Sequence, residues 1–251
     1  MKIISYNLNG LRAAAKLNVL DWLKQENADI ICLQEVRAEQ KICEEILKEM
    51  NEYSIIYNCG EKKGYSGTIT LCKKKPKEIQ LGFSTNNKDI EGRTILTIFD
   101  DFVVINSYIP NGSQRLEFKK EFFKELTNFM NKLLKTHKRI ILCCDANIAH
   151  NEIDVNKPKE TSKKSGFLME ERKLMSKLLE KDFFDSFRKL NPDFIQYTWR
   201  SYRARNENND FGWRFRFDYI ICSNELQKDI RKCYSLDLEY SDHLPVILEV
   251  K

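Results

Sequence analysis

Apolar runs rich in Val and Ile recur along the chain, and six of them abut a polar residue. They are IISYN at Asn7, IICLQE at Glu35, VVINSY at Tyr108, IILCCDAN at Asp145 and Asn147, FRFDYIIC at Asp218, and SDHLPVILEV at Asp242 and His243. Short continuous runs of this kind read as buried strands. Strands are predicted at 2–7, 29–34, 54–58, 67–73, 93–99, 102–108, 139–144, 195–199, 215–222 and 245–250. Helical periodicity predicts helices at 12–26, 38–50, 114–136 and 168–180, with a shorter one at 182–190. The third helix puts Leu116, Phe122, Phe123, Leu126, Phe129, Met130 and Leu133 on one broad face, with Lys and Glu opposite. Asp100 and Asp101 separate two strand-like runs as a two-residue hairpin turn. A carboxylate, amide or imidazole at a strand end sits at the mouth of a sheet, half in water. Six such mouths can converge on one cleft suited to a divalent metal and a phosphate.

A faint internal repeat suggests how they converge. IISYNLNG resembles VVINSYIPNG, and DIICLQE resembles RIILCCDAN. Two sheets with helices outside, related by a pseudo-twofold, would bring both pairs of strand ends together. The expectation is a four-layered α/β sandwich: two packed, mostly antiparallel β-sheets flanked by helices. No Pro/Gly/Ser linker divides the chain, so residues 1–251 are expected to form a single domain; the polar stretch 156–166 reads as a surface loop.

Composition narrows the class. At 42% hydrophobic and 11% aromatic, 251 residues can bury a sizeable core. A net charge of +5 is too mild to argue for a polyanion partner by itself. Eight cysteines contain no C-x-x-C pair, and Cys32, Cys72, Cys143, Cys144 and Cys222 lie inside apolar runs, as small hydrophobes would. Free thiols imply an intracellular, reducing compartment: the nucleus in a eukaryote, the cytoplasm or nucleoid in a prokaryote. The chain enters a strand at once, so no leader peptide and no appended regulatory region are expected. No apolar run reaches the ~20 residues of a membrane span.

Of three histidines, His243 stands directly before a strand and beside an acid. A nearby carboxylate can hold an imidazole protonated near neutrality, and an imidazolium suits a phosphate oxygen that gains charge. Asp218 precedes a strand and can buttress the ring nitrogen facing away from the phosphate. Asp145 can orient and deprotonate a water for attack on phosphorus. Asn147 can hold that water or a phosphate oxygen, and Asn7 can fix the carboxylate. Glu35 offers a hard oxygen to Mg²⁺, which needs only one or two protein carboxylates.

The set YNLNGLRA, LQEVR, GYSGTIT, EGR, YIPNG, CDANIAHNEIDVNKPK, SGFLMEER, FFDSFR, YTW and SDHLP resembles the exonuclease III family of apurinic/apyrimidinic (AP) endonucleases, within the endonuclease/exonuclease/phosphatase superfamily. It runs in order from Lys2 to Val250. LQE and SDH are superfamily-wide, whereas AHNEIDVNKPK, SGFLMEER and DSFR belong to the DNA-repair branch. The resemblance implies the DNase I-like sandwich and a Mg²⁺-dependent cut 5′ to an abasic site, leaving a 3′-hydroxyl. It implies 3′-to-5′ exonuclease and 3′-phosphodiesterase activity as well, with Mn²⁺ as a substitute ion. The expected partner is double-stranded DNA with abasic sites or blocked 3′ ends, bound by a monomer away from any membrane.

Position by position, the resemblance implies metal binding at Glu35, Asn9 and Asp242, and positioning of the nucleophilic water by Asn7, Asp145 and Asn147. It implies phosphate contacts from Tyr108 and Asn111, and an acid–histidine pair in Asp218 and His243. Arg12, Tyr65 and Arg93 are expected at the DNA, and Lys62, Lys63, Lys157, Lys159, Lys163 and Lys164 suit phosphates by charge. Trp199 matches the wall of a pocket for the base-less sugar. The chain departs from the family just before Asp218, where Gly212-Trp213-Arg214-Phe215-Arg216-Phe217 is two residues longer than the usual pattern. Either Trp213 or Phe215 takes the tryptophan's place, with Phe217 as second wall; alternation puts all three on one face. Two alternatives remain open here: a same-fold phosphatase or phosphodiesterase on a non-DNA phosphate, and a catalytically inactive nucleic-acid-binding homologue.

Overall fold

The computed structural model describes residues 1–83, 89–201 and 212–251. The chain starts with β1 (Lys2–Asn7), α1 (Leu11–Lys16), α2 (Val19–Glu26), β2 (Ile30–Gln34), α3 (Gln40–Leu47), β3 (Ser54–Asn58), β4 (Thr68–Cys72) and β5 (Glu78–Leu81). It continues with β6 (Thr94–Ile98), β7 (Val103–Tyr108), α4 (Leu116–Leu133), β8 (Ile140–Asp145), α5 (Pro158–Thr161), α6 (Met169–Leu179) and β9 (Phe183–Asp185). Then follow α7 (Ser186–Leu190), β10 (Trp199–Arg200), β11 (Arg214–Phe215), β12 (Asp218–Ser223), β13 (Ile230–Ser235) and β14 (Val246–Val250).

Two six-stranded sheets form, in the orders β13-β14-β1-β2-β4-β3 and β5-β6-β7-β8-β12-β9, with β10 and β11 as a separate short ribbon. Each large sheet has one parallel pair at its centre, β1 with β2 and β7 with β8, and is antiparallel elsewhere. The two sheets therefore match strand for strand. This bears out the sandwich, and the repeated segments are the central strands of each sheet.

Three apolar layers hold it together. Ile3, Cys32, Val104, Ile141, Cys143, Ile220 and Leu248 meet between the sheets. Leu11, Trp22, Leu23, Cys43 and Leu47 cover the outer face of the first sheet from α1 to α3. Phe122, Phe123, Leu126 and Met130 of α4, with Met175 and Leu178 of α6, cover the second. Each large apolar side chain so buried contributes about 1.5–3 kcal/mol. Toward the strand ends the inter-sheet filling turns polar. Gln34 Nε2 donates to Asn106 Oδ1 at 2.8 Å, and Asn106 Nδ2 donates to the Ile69 carbonyl at 2.9 Å.

Several elements differ from the sequence prediction. The helix over 12–26 is two helices, broken at Asn18, which adopts a left-handed φ of 65°. Residues 183–185, predicted helical, form an edge strand against β12, so only α7 remains of that helix. The strand at 195–199 reduces to Trp199–Arg200, and the run at 215–222 splits into β11 and β12. β5 and β13 were not predicted; both are edge strands with mixed exposure, which blurs any alternation. The hairpin turn is as expected, closed by the Phe99 amide on the Phe102 carbonyl at 2.9 Å.

Arg216, buried to 1% exposure, anchors this region. Its Nε donates to Asp154 Oδ1 at 2.8 Å and its Nη2 to Asp185 Oδ2 at 2.6 Å, while Arg188 Nη2 reaches Asp154 Oδ1 at 2.6 Å. Breaking one side of a buried ion pair strands the other charge without water. Arg216→Met is therefore expected to lower unfolding free energy by about 3–5 kcal/mol in urea. A loss below ~1 kcal/mol would contradict the network's structural role.

Candidate active site

Register alone brings three functional side chains together. Asp145 ends β8, opposite Tyr108 of β7 on one side and Asp218 of β12 on the other. The other sheet supplies Asn7 at the end of β1, Glu35 just past β2, and Ser241-Asp242-His243 before β14.

Hydrogen bonds join the two sheets at this end. Asn7 Nδ2 donates to Asp145 Oδ2 at 2.8 Å. The Asn147 amide donates to Asp145 Oδ1 at 2.8 Å and its Nδ2 to Oδ2 at 3.1 Å. His243 Nδ1 lies 2.9 Å from Asp218 Oδ2, and its Nε2 lies 3.9 Å from Asp145 Oδ2. Asn111 Nδ2 donates to Asn147 Oδ1 at 3.1 Å. Asn7, Asp145, Asp218 and His243 are each less than 5% exposed.

Burial sets the electrostatics. It raises Asp145 to about 7, with Asp218 adding to the rise while His243 opposes it. Burial alone would neutralise His243, but the Asp218 and Asp145 carboxylates outweigh it and lift the imidazole to about 10. Burial, then the Glu35 and Asp145 carboxylates, push the Tyr108 phenol well above its usual range, so it stays a neutral O–H donor.

The ligand atoms of Asp145, Asp218 and His243 lie within 4.8 Å of one another. His243 Nδ1 is already engaged by Asp218 Oδ2, and the trio suits either acid–base chemistry or a metal. The hard-oxygen donors sit next door. The loop after β1 runs beside the end of β2, with the Gly10 amide on the Glu35 carbonyl at 2.9 Å. Asn9 Nδ2 donates to Asp242 Oδ1 at 2.8 Å, and the buried Asn9 Oδ1 accepts no hydrogen bond. That orphaned oxygen and the Glu35 carboxylate fit Mg²⁺. Asp242, expected as a ligand, lines the same cavity, and its second oxygen accepts from Trp199 Nε1 at 3.0 Å. It thereby links Asn9 to the aromatic wall.

That wall closes the other side. Phe215 and Phe217 stack at 4.7 Å between ring centres, and Trp199 tilts against both at 5.7 and 5.6 Å. Trp213 lies further out, with Lys164 Nζ 3.5 Å above its ring. Both Trp213 and Phe215 line the cavity, Phe215 buried in its stack and Trp213 half-buried. Arg214 and Arg216 take the opposite face, as alternation requires. Gly166, at a φ of +93°, backs Phe217 so closely that a Cβ would lie 2.7 Å from the ring.

One cavity of about 1000 Å³ collects Asn9, Glu35, Tyr65, Arg93, Tyr108, Asn111, Asp145, Asn147, Trp199, Trp213, Phe215, Phe217, Asp242 and His243. Asn7 and Asp218 are fully buried behind that lining. Arg12 is exposed and outside it. Arg93, expected at the DNA, is instead buried to 2% exposure; it donates to the Tyr108 carbonyl and the Tyr65 hydroxyl, both at 3.0 Å. It positions two wall residues.

Sequence reasoning missed Arg37, 2.5 Å from Glu35 Oε1, and the pair Lys119–Glu171. Lys119 Nζ, fully buried, donates to the Asn147 carbonyl at 2.7 Å and to Glu171 Oε1 at 2.6 Å. Glu171 Oε2 accepts the Gly166 and Leu168 amides at 2.7 and 3.0 Å. One ion pair thus fixes both the loop after Asp145 and the loop behind Phe217. Lys119 lies three and four residues before Phe122 and Phe123, on the buried stripe of α4, and that spacing was the available signal.

A model of the endonuclease/exonuclease/phosphatase family matches residues 4–243. The chain belongs to that family, in its exonuclease III branch. It is 38% identical to an exodeoxyribonuclease of Bacillus subtilis, over 99% of this chain and 98% of that protein. It is also 38% identical to the DNA repair nuclease APEX1 of Danio rerio, covering 99% of this chain and 81% of that one. Among solved structures, an AP endonuclease from Archaeoglobus fulgidus superposes with a TM-score of 0.86 at 28% identity, covering 100% of this chain and 99% of that one. The 3′ phosphatase NExo from Neisseria, bound to product DNA hairpin, gives 0.89 at 26% identity, with the same coverage.

The His243 shift has a direct check. Its folded value stands above the ordinary 6.5, so its stabilising contribution is full below about 6.5 and is lost as pH rises toward about 10. Imidazole ¹⁵N NMR of the metal-free protein should show a doubly protonated ring at pH 8. A neutral ring at that pH would contradict the pairing with two carboxylates.

Proposed function

We propose that this chain is a Mg²⁺-dependent DNA-repair nuclease that hydrolyses the phosphodiester 5′ to an abasic site. The observation that carries the reading is the juxtaposition of two features in one cavity. Asp145 and His243 present a base and an acid 3.9 Å apart, and an aromatic wall of Trp199, Phe215 and Phe217 stands beside them.

Asp145, with its proton affinity near neutrality, takes a proton from a water as that water attacks phosphorus. Asn7 and Asn147 fix the carboxylate so that one lone-pair direction serves the water. His243, charged and braced by Asp218, meets the negative charge that builds on a non-bridging phosphate oxygen. Tyr108 and Asn111 add neutral donors at the phosphate. A Mg²⁺ held by Glu35 and Asn9 would stabilise charge on the phosphate and the departing 3′ oxygen. The products are a 3′-hydroxyl and a 5′-phosphate.

The wall supplies selectivity. A sugar without a base can rotate out of the duplex at low cost and lie against the Phe215–Phe217 stack, whereas a full nucleotide must also be unstacked and fitted. Lys164, in the cavity lining, and Arg115, bonded to the Tyr65 hydroxyl, suit backbone phosphates. The names of the relatives support 3′-to-5′ exonuclease and 3′-end-cleaning activity in the same site. Eight cysteines without a disulfide fit an intracellular, reducing compartment, and no described helix is long and apolar enough to cross a membrane.

The test is incision of a duplex carrying a tetrahydrofuran abasic analogue. Cutting is expected with Mg²⁺ and should stop with EDTA. Asp145→Asn should lower turnover by about 10²–10⁴-fold while duplex binding persists. Undiminished cutting by that variant would remove Asp145 from the role of base. Cleavage confined to non-DNA phosphate esters would favour the phosphatase reading.

A further inference from the structure

The strongest feature outside the active site is a pair of thiols. Cys43 on α3 and Cys59, immediately after β3, bring their Sγ atoms to 3.9 Å. Cys43 is fully buried, but Cys59 is half-buried and reaches solvent. The remaining six cysteines are sealed in the core at 4% exposure or less. A second pair, Cys32 and Cys143, also interacts, but both lie between the sheets with no exposed surface. One thiol pair in this chain therefore combines close approach with access.

We infer that Cys43 and Cys59 form an oxidisable dithiol, a modification site for small hydroperoxides. The Cys59 thiolate attacks the peroxide oxygen, the O–O bond breaks, and alkoxide or hydroxide leaves and takes up a proton. Cys59 is then a sulfenic acid. The Cys43 sulfur displaces its hydroxyl as water and closes the disulfide. Two thiols are oxidised, and one hydroperoxide is reduced to an alcohol (or water) and water.

The local chemistry assigns the roles. Cys59 is half-buried and meets the peroxide first, and its contact with Cys43 lowers its proton affinity although partial burial opposes this. Cys43 is fully buried beneath it, out of reach of the peroxide, and serves as the resolving partner. Burial pushes Cys72, Cys143, Cys144, Cys222 and Cys233 upward, which leaves them inert. The closed link would staple α3 to the start of the loop that carries Tyr65. That hydroxyl accepts from Arg93 and Arg115, each at 3.0 Å, at the edge of the cavity.

The full chain, reduced and then treated with stoichiometric hydrogen peroxide, is blocked with N-ethylmaleimide and mapped without reductant. The expected first product is an intramolecular Cys43–Cys59 peptide that dithiothreitol reverses, while the other six thiols react with maleimide only after denaturation. Cys43→Ser should stop at a Cys59 sulfenic acid captured by dimedone, and Cys59→Ser should yield no intramolecular disulfide. Recovery of Cys43 and Cys59 as free thiols after the peroxide is consumed, or a first disulfide elsewhere, would overturn the assignment.

Discussion

The hydrogen bond between Asn7 of one sheet and Asp145 of the other is the constraint on which the site depends. It is made between buried groups, at 2.8 Å, where the central strands of two matched sheets end side by side. The His243–Asp218 contact crosses the same gap one strand further along. Neither bond survives a slip of one sheet over the other. A one-residue slip within a strand would turn the carboxylate to the opposite face. The apolar layer between the sheets fixes that alignment, and the polar band of Gln34 and Asn106 carries it toward the mouth. Stability and catalysis are coupled because both use the same interface.

Strain accompanies this alignment. Asn9, Glu35, Arg37, Ser66 and Asn147 all hold a left-handed φ between 48° and 54°, and all five lie at or beside the cavity. Such conformations cost roughly 1–3 kcal/mol each and persist only where surrounding contacts over-determine them. Those contacts are visible here. The Asn147 loop is pinned by Asp145, Ile109, Asn111 and the buried Lys119, and the Glu35 loop is tied by backbone bonds to residues 8–11 and 66–67. Rigid strand ends and pinned loops hold the Asp145 carboxylate in one orientation, so the proposed attack of a water would need little reorganisation.

Much of this was legible in the sequence because polar residues at the ends of Val/Ile runs are costly unless they are used. Asn7, Asp145, Asp218 and His243 stood out that way, and the structure gathers them into one buried cluster. The central strands were equally plain, since they are buried on both faces. The edge strands were not: β5 and β13 alternate poorly because water covers much of each, and β9 shows itself only through its pairing with β12. Arg93 was misplaced because a cation near a nucleic-acid site resembles a phosphate contact until its burial is known. Lys119 was overlooked because a lysine on an amphipathic helix normally faces water; only its partner Glu171, 52 residues away, allows it to lie inside. Long-range charge pairing is a tertiary property that no local pattern contains.

In the proposed reaction a water aimed by Asp145 attacks phosphorus, rather than a base eliminating across the sugar. The test is single-turnover incision, in H₂¹⁸O, of a duplex carrying a natural abasic deoxyribose, whose aldehyde permits either reaction. One ¹⁸O atom is expected in the 5′-phosphate of the downstream fragment and none in the 3′-hydroxyl of the upstream one. Strand cleavage with no ¹⁸O in that phosphate would contradict attack by water.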